Sequence, residues 1–146
     1  MVKTLNILLI DDDDVACESV IRSFKKFELK ANIVLAHDGV EGLDILRGNH
    51  PTKTMNKPFL ILLDLNMPRM NGFEFLEEMR SDKSIASNVV FVLTTSSDDN
   101  DRARAYDNYI AGYMVKSAVG PQFNKLFNLL QDYRDTVVLS GDDHAE

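Results

Sequence analysis

A chain of 146 residues with a hydrophobic fraction of 45% has the size and apolar content of one globular domain built on a single core. Its net charge of −7, with lysines and arginines scattered along the chain, lacks the basic footprint of a nucleic-acid-binding protein. Cys17 is the one cysteine, so no internal disulfide is possible, and no stretch approaches the roughly 20 apolar residues of a membrane span; a soluble, cytoplasmic protein without membrane insertion is expected.

In chain order, the first apolar run, Leu5 to Ile10, is too short for a signal peptide and ends in Asp11-Asp12-Asp13-Asp14. Val20, Ile21, Phe24 and Phe27 then recur at helical spacing, with Asp14 or an aspartate just before it as N-cap. Cys17 sits on the apolar face of that helix and reads as a small buried hydrophobe. Ile33-Val34-Leu35 is a short strand candidate. Asp38 and Glu41 have the spacing of a capping box ahead of Val40, Leu43 and Leu46. Gly48 to Pro58 is a polar loop longer than the usual connection, a surface excursion.

A second apolar run, Phe59 to Leu63, ends at Asp64. Asn71 and Glu74 repeat the capping-box spacing ahead of Leu76 and Met79. Val89 to Leu93 runs into Thr94-Thr95-Ser96, and Ser97 precedes Asp98, Asp99 and Asp101, whose charge suits the first turn of a helix. Gly112 to Val115 runs into Lys116. Pro121 opens a last helix carrying Phe123, Leu126, Phe127, Leu130 and Tyr133, followed by Thr136-Val137-Val138-Leu139 and the polar tail Ser140 to Glu146.

Strand and helix alternate five times, and the strand runs are continuously apolar rather than alternating. That pattern predicts an α/β fold, a doubly wound (βα)5 parallel sheet covered by helices on both faces. In a parallel sheet all strands end on one edge, which gathers Asp11, Asp12, Asp64, Thr94 and Lys116. Three carboxylates in one place repel, by about 4 kcal/mol per pair near 4 Å at an effective dielectric of ~20, so the cluster makes sense as a site for a hard cation such as Mg²⁺, with Mn²⁺ possible. A strand-end carboxylate, Asp64, can attack phosphorus; Lys116 can supply positive charge to the phosphoryl oxygens and Thr94 a hydroxyl donor. Taken singly, each has a plainer reading: helix caps for Asp11 to Asp14, an exposed strand-end amine for Lys116, a turn hydroxyl for Thr94, amphipathic packing for Tyr113.

Taken together these pieces resemble the receiver domains of two-component response regulators over nearly the whole chain. The matching elements are Asp11-Asp12 after Ile7 to Ile10, the block Leu62 to Gly72 around Asp64, Thr94 after Val-Phe-Val-Leu, and Lys116 after Tyr113-Met114-Val115. The resemblance implies a flavodoxin-like receiver fold with strand order 2-1-3-4-5. It implies that Asp12, Asp64 and the backbone carbonyl of Asn66 ligate Mg²⁺ directly while Asp11 acts through water. It further implies that Asp64 accepts phosphate from a histidine kinase, catalysing only its own phosphorylation and dephosphorylation, and that Thr94 and Tyr113 move together as a switch. Residues 1–135 form the receiver on this reading, 136–146 a C-terminal extension and tail, with no output domain.

The long loop before Phe59, Leu93 to Ser96, Val115-Lys116-Ser117 and Asp132-Tyr133 with Thr136 to Leu139 resemble more narrowly the stand-alone receivers associated with bacterial phytochromes. A bacterial phytochrome kinase is then the implied partner. Departures from the pattern are Ser117 where receivers mostly have proline, Thr95 where many have alanine or glycine, and Arg134 and Ser140 where the subgroup has an aromatic and a proline. A receiver that works by presenting a surface, with a β-prone segment beyond a broad apolar helix, is expected to form a homodimer through the Tyr106–Lys116 region, the last helix and the extension. Two other functions fit parts of the chain. Asp11, Asp13 and Val15 match the Asp-x-Asp-x-Thr/Val motif of haloacid-dehalogenase-like phosphatases, although this leaves Asp64 unexplained; the other is a receiver serving only as a non-phosphorylated structural partner.

Overall fold

The computed structural model describes residues 5–26, 31–56, 59–119 and 124–139. Five parallel strands, β1 (Leu5–Ile10), β2 (Ala31–Ala36), β3 (Leu60–Leu63), β4 (Val89–Thr94) and β5 (Gly112–Val115), pair in the order 2-1-3-4-5. Helices α1 (Asp14–Lys26), α2 (Gly39–Leu46), α3 (Gly72–Ser81), α4 (Asp99–Asp107), the single turn α5 (Lys116–Val119) and α6 (Asn124–Thr136) cover the two faces. This is the doubly wound α/β fold that the alternation predicts. After β5, Lys116 begins the short helical turn α5 ahead of α6.

The pleat divides the strands between two cores. Leu8, Ile10, Ile61, Leu63, Val90 and Val92 face one side with Leu43, Phe75, Leu76 and Met79 of α2 and α3. Ile7, Leu9, Leu60, Leu62, Phe91 and Leu93 face the other with Cys17, Val20 and Phe24 of α1 and Leu126, Phe127 and Leu130 of α6. Every residue of β1 and β3 is buried, which explains why Asn6 alone interrupts these two apolar runs: each fully buried Leu or Ile contributes roughly 1.5–3 kcal/mol. Phe24 meets Phe127 edge-on with ring centroids 5.2 Å apart, and Phe91 meets Tyr133 at 5.1 Å.

Local chemistry sets the helix starts. Asp13, the aspartate just before Asp14, caps α1, its Oδ1 accepting from Val15 N and Ala16 N. Asp38 caps α2, but Glu41 reaches back to His37 N rather than to the cap residue, so the box is offset by one. Asn71 and Glu74 form the full reciprocal box on α3. Asp98 caps α4, with Asp99 and Asp101 in its first turn. β2 extends beyond Ile33–Leu35 at both ends because it lies at the sheet edge, half covered, and its apolar signal is diluted there.

The long loop after α2 folds back onto this edge. His50 Nδ1 accepts from Thr52 N (3.2 Å) and Lys53 N (3.0 Å), which leaves the ring proton on Nε2, 3.0 Å from Glu41 Oε2. Lys53 Nζ donates to Leu35 O at 2.8 Å and to Glu41 Oε2 at 3.1 Å. Burial pushes the Glu41 carboxyl up, but donors from His37, Lys53 and His50 outweigh it and hold the group at about 2.

At the C-terminus, Thr136 ends α6, and Leu139 is buried with Val137 beside it against the α1–α6 core. The β-prone reading of Thr136 to Leu139 is thus corrected: the segment packs on its own domain, and Val138 is its exposed apolar residue. Tyr133 faces the core, whereas Leu129 stays exposed and Arg134 is buried. Phe27, Pro58, Pro121, Phe123 and the tail 140–146 lie outside the described residues.

Candidate functional site

Two backbone hydrogen bonds carry the sheet one residue past its regular end. Asp11 N donates to Ala36 O at 3.0 Å, and Asp64 N donates to Ile10 O at 2.9 Å. These bonds fix both carboxylates at the carboxyl edge, where doubly wound sheets bind ligands. Asp11, Asp12 and Asp64 each bring a carboxylate oxygen to within 4.8 Å of the others. Asp11 and Asp64 are buried and Asp12 opens to solvent, so the cluster has a closed floor and a wet mouth.

Lys116 closes the site from β5. Its ammonium donates to Asp11 Oδ2 at 2.9 Å and lies 3.9 Å from Asp64 Oδ2. Burial pushes the Asp11 carboxyl up to about 6, with Lys116 and the Asp13 amide pulling against it and Asp64 adding to it. Burial works against the Lys116 ammonium, yet Asp11 and Asp64 more than offset that and shift it upward. Asp11 and Asp64 therefore share the Lys116 ammonium. Asp64 Oδ1 is buried with no hydrogen-bond partner among the described residues, an acceptor in need of a positive or donating group. A hard divalent cation on Asp11, Asp12 and Asp64 meets that need, so the residues present fit such an ion.

The segment after Asp64 is pressed tightly against it. Gly72 N donates to Leu65 O at 3.0 Å, and a Cβ on Gly72 would stand 2.6 Å from Asp64 O and 2.7 Å from Leu65 Cα. Only glycine lets α3 start this close to the strand end. Asn66 lies in the resulting loop and, with Asp12, Pro68, Phe73, Asp101 and Arg104, lines an open cleft of about 580 Å³.

Thr94 ends β4 fully buried, its hydroxyl oxygen 3.4 Å from Ser96 N. Half-buried Tyr113 donates its hydroxyl to Ser96 O at 3.0 Å, and Ser96 Oγ donates to Asp101 Oδ2 at 2.7 Å. Thr94 and Tyr113 thus meet at Ser96. The sequence reading pairs the first two but misses Ser96 and Asp101; the only sequence trace is a serine two residues past the strand-end threonine. It also misses that Arg69 binds Asp38. Asp13 is exposed, its carboxylate caps α1 and its amide donates to Asp11 Oδ1, and it is not one of the three clustered carboxylates.

A doubly wound sheet with this acid cluster, strand-end threonine and lysine defines a phosphoacceptor switch rather than a true enzyme. The sequence profile of the response regulator receiver domain matches residues 7–128, and the chain belongs to that family. It is similar to the response regulator Rcp1 of Synechocystis, 29% identical over 125 residues that cover 86% of this chain and 83% of that protein. The Mn²⁺-bound crystal structure of Rcp1 aligns with a TM-score of 0.74 at 26% identity, over 94% of this chain and 99% of that one. The phosphorylated cyanobacterial phytochrome response regulator RcpA aligns with a TM-score of 0.76 at 27% identity, over 95% of this chain and 100% of that one. A two-component response regulator from Legionella pneumophila is 38% identical, with a TM-score of 0.73 over 88% of this chain and 99% of that one. Receivers of this family act with histidine kinases, and the resemblance to phytochrome-associated regulators holds at the level of structure. Among the described residues no helix is long and apolar enough to cross a membrane.

Proposed function

We propose that this chain is a response regulator receiver that takes a phosphoryl group on Asp64 from the phosphohistidine of a sensor histidine kinase. The observation that carries the reading is Asp64 itself: a buried strand-end carboxylate with one unpartnered oxygen, beside two further carboxylates and one lysine. An Asp64 oxygen attacks phosphorus, the P–N bond breaks, and the leaving imidazole keeps its electron pair. Lys116, already ionised beside Asp11, faces the incoming negative charge, and the Thr94 hydroxyl donates to a phosphoryl oxygen. Asp12, Asp64 and the Asn66 carbonyl would hold Mg²⁺ directly and Asp11 through water; bound there, the ion neutralises phosphoryl oxygens and orients them. Once Thr94 turns to the phosphoryl group, Ser96 loses one of its holds, and Tyr113 follows through its own bond to Ser96.

On this reading the receiver spans residues 1–135, with 136–146 an extension, and the protein works in the cytoplasm. Its output is a changed surface offered to another chain. The likeness to phytochrome regulators supports a bacterial phytochrome as the kinase. Tyr106 and Tyr109, both exposed beside β5, with Leu129 and Val138, support a homodimer through the Tyr106–Lys116 region, the last helix and the extension. The test is intact mass after incubation with a small acyl phosphate: about 80 Da is gained only with Mg²⁺ or Mn²⁺ present, the mass of one phosphoryl group on one carboxylate. Undiminished label on Asp64→Asn would sink the assignment.

A further inference from the structure

The loop that follows Asp64 carries a backbone that its sequence does not favour. Arg69 has φ +61°, a left-handed conformation disfavoured roughly tenfold for a residue with a Cβ. Its side chain reaches across to the turn between β2 and α2, where Nε donates to Asp38 Oδ2 at 2.7 Å and Nη2 lies 2.5 Å from the same oxygen. Asp38 is buried, and its other oxygen caps α2 through Glu41 N at 2.9 Å. The same turn grips the next residue as well: Gly39 N donates to Met70 O at 3.4 Å, and a Cβ on Gly39 would stand 2.8 Å from Met70 Cγ. Within the loop, Met70 N donates to Pro68 O at 2.7 Å, and Gly72 N closes it on Leu65 O. Asn66 and Pro68 lie between these anchors and line the cleft with Asp12.

We propose that Arg69 and Asp38 are positioning residues for the phosphoacceptor site: their ion pair holds the loop in the left-handed conformation that keeps Asn66 beside Asp12. The inference rests on the reading of Asp64 as a cation-dependent phosphoacceptor. Neither side chain belongs to the acid cluster; both act through the loop backbone. Without the pair, Arg69 relaxes to negative φ, and only the fraction of molecules that keep the loop in place binds the ion, which lowers apparent affinity by that fraction. Glycine visits positive φ about as readily as negative, so it removes the pair and the strain together. That gives the two substitutions at one position opposite expectations.

The full chain with Arg69→Ala, Arg69→Gly or Asp38→Asn is titrated with MgCl₂ by calorimetry. Labelling by acetyl phosphate is timed, and hydrogen exchange is followed at the Met70 and Gly72 amides. Arg69→Ala weakens Mg²⁺ binding and slows labelling about tenfold while both amides exchange faster. Asp38→Asn, which keeps a capping side chain, moves in the same direction. Arg69→Gly returns Mg²⁺ affinity and labelling to within about threefold of the parent. Parent-like Mg²⁺ affinity in Arg69→Ala, or a glycine variant as impaired as the alanine one, overturns the proposal. The Arg69 side chain is 64% exposed, so the fold tolerates both changes. A parent chain that binds no Mg²⁺ and takes no label overturns the phosphoacceptor reading itself, and this inference with it.

Discussion

Replacing Asp64 by asparagine should stabilise the metal-free protein while it abolishes phosphorylation. In the parent the carboxylate lies within 4.8 Å of ligand oxygens on Asp11 and Asp12 and 3.9 Å from the Lys116 ammonium. At an effective dielectric of ~20 the Asp11 repulsion costs about 3–4 kcal/mol and the Lys116 attraction returns about 4, so the two nearly cancel. Asp12 is exposed and screened, and adds about 1 kcal/mol of repulsion. The buried Oδ1, with no donor among the described residues, adds about 1–3 kcal/mol of uncompensated desolvation. An amide of the same shape removes the charge and can turn its NH₂ toward a neighbouring carboxylate. The net gain is about 2 kcal/mol, or roughly 6 °C in Tm for a domain of this size. In calorimetric scans with EDTA, Asp64→Asn should therefore melt above the parent. Mg²⁺ at a hundredfold its Kd should raise the parent by about 2.7 kcal/mol and the variant by much less. A variant that melts lower than the parent in EDTA and still gains as much from Mg²⁺ would refute the electrostatic account of the site.

Gly72→Ala should lower stability by about 2–3 kcal/mol, because the new methyl meets backbone atoms of Asp64 and Leu65 that have no room to move; urea unfolding measures it. Arg80→Met should cost about 2–3 kcal/mol, since one guanidinium donates to the carbonyls of Ala86, Asn88, Asn108 and Tyr109, and a denaturation midpoint within error of the parent would contradict this. Glu41 is held at about 2, below its ordinary value of 4.5, so it stabilises the fold fully above pH 4.5 and loses that contribution as pH falls toward 2; the stability gap between parent and Glu41→Gln should close over that window. Cys17 is buried, and burial together with Asp11 and Asp14 pushes its thiol up to about 12, so a thiol reagent at pH 8 should label it only as the chain unfolds.

How far the chain could be read in advance depended on how local each cause was. β1 and β3 are buried on both faces, so their apolar runs announced strands, and the residues that follow them, Asp11 and Asp64, fell at the site. The Asn71–Glu74 box is a contact across three residues and was legible for the same reason. The start of α1 was legible only to within Asp14 or the aspartate before it, because in a run of equivalent capping side chains local chemistry does not choose. Thr136 to Leu139 misled because β-branched residues suit any half-buried surface, and here the surface is the domain's own α1–α6 core. The Asp38–Arg69 pair joins residues 31 apart, and nothing in either neighbourhood predicts it.

The folded-back loop beyond α2 has a bearing on how this protein keeps its own company. An outer strand offers a row of backbone acceptors to any extended chain that drifts alongside, and fibrous aggregates begin with such pairings. On β2 the Leu35 carbonyl is occupied by the Lys53 ammonium, and Glu41 and His50 keep that lysine in place. A foreign strand would have to expel a charged group to add its first rung. Trimming the loop to a tight turn would leave the acid cluster untouched while opening the border of the sheet, so the shortened protein should bind cations as before yet precipitate on concentration. The excursion is therefore a guard on solubility rather than slack between a helix and a strand.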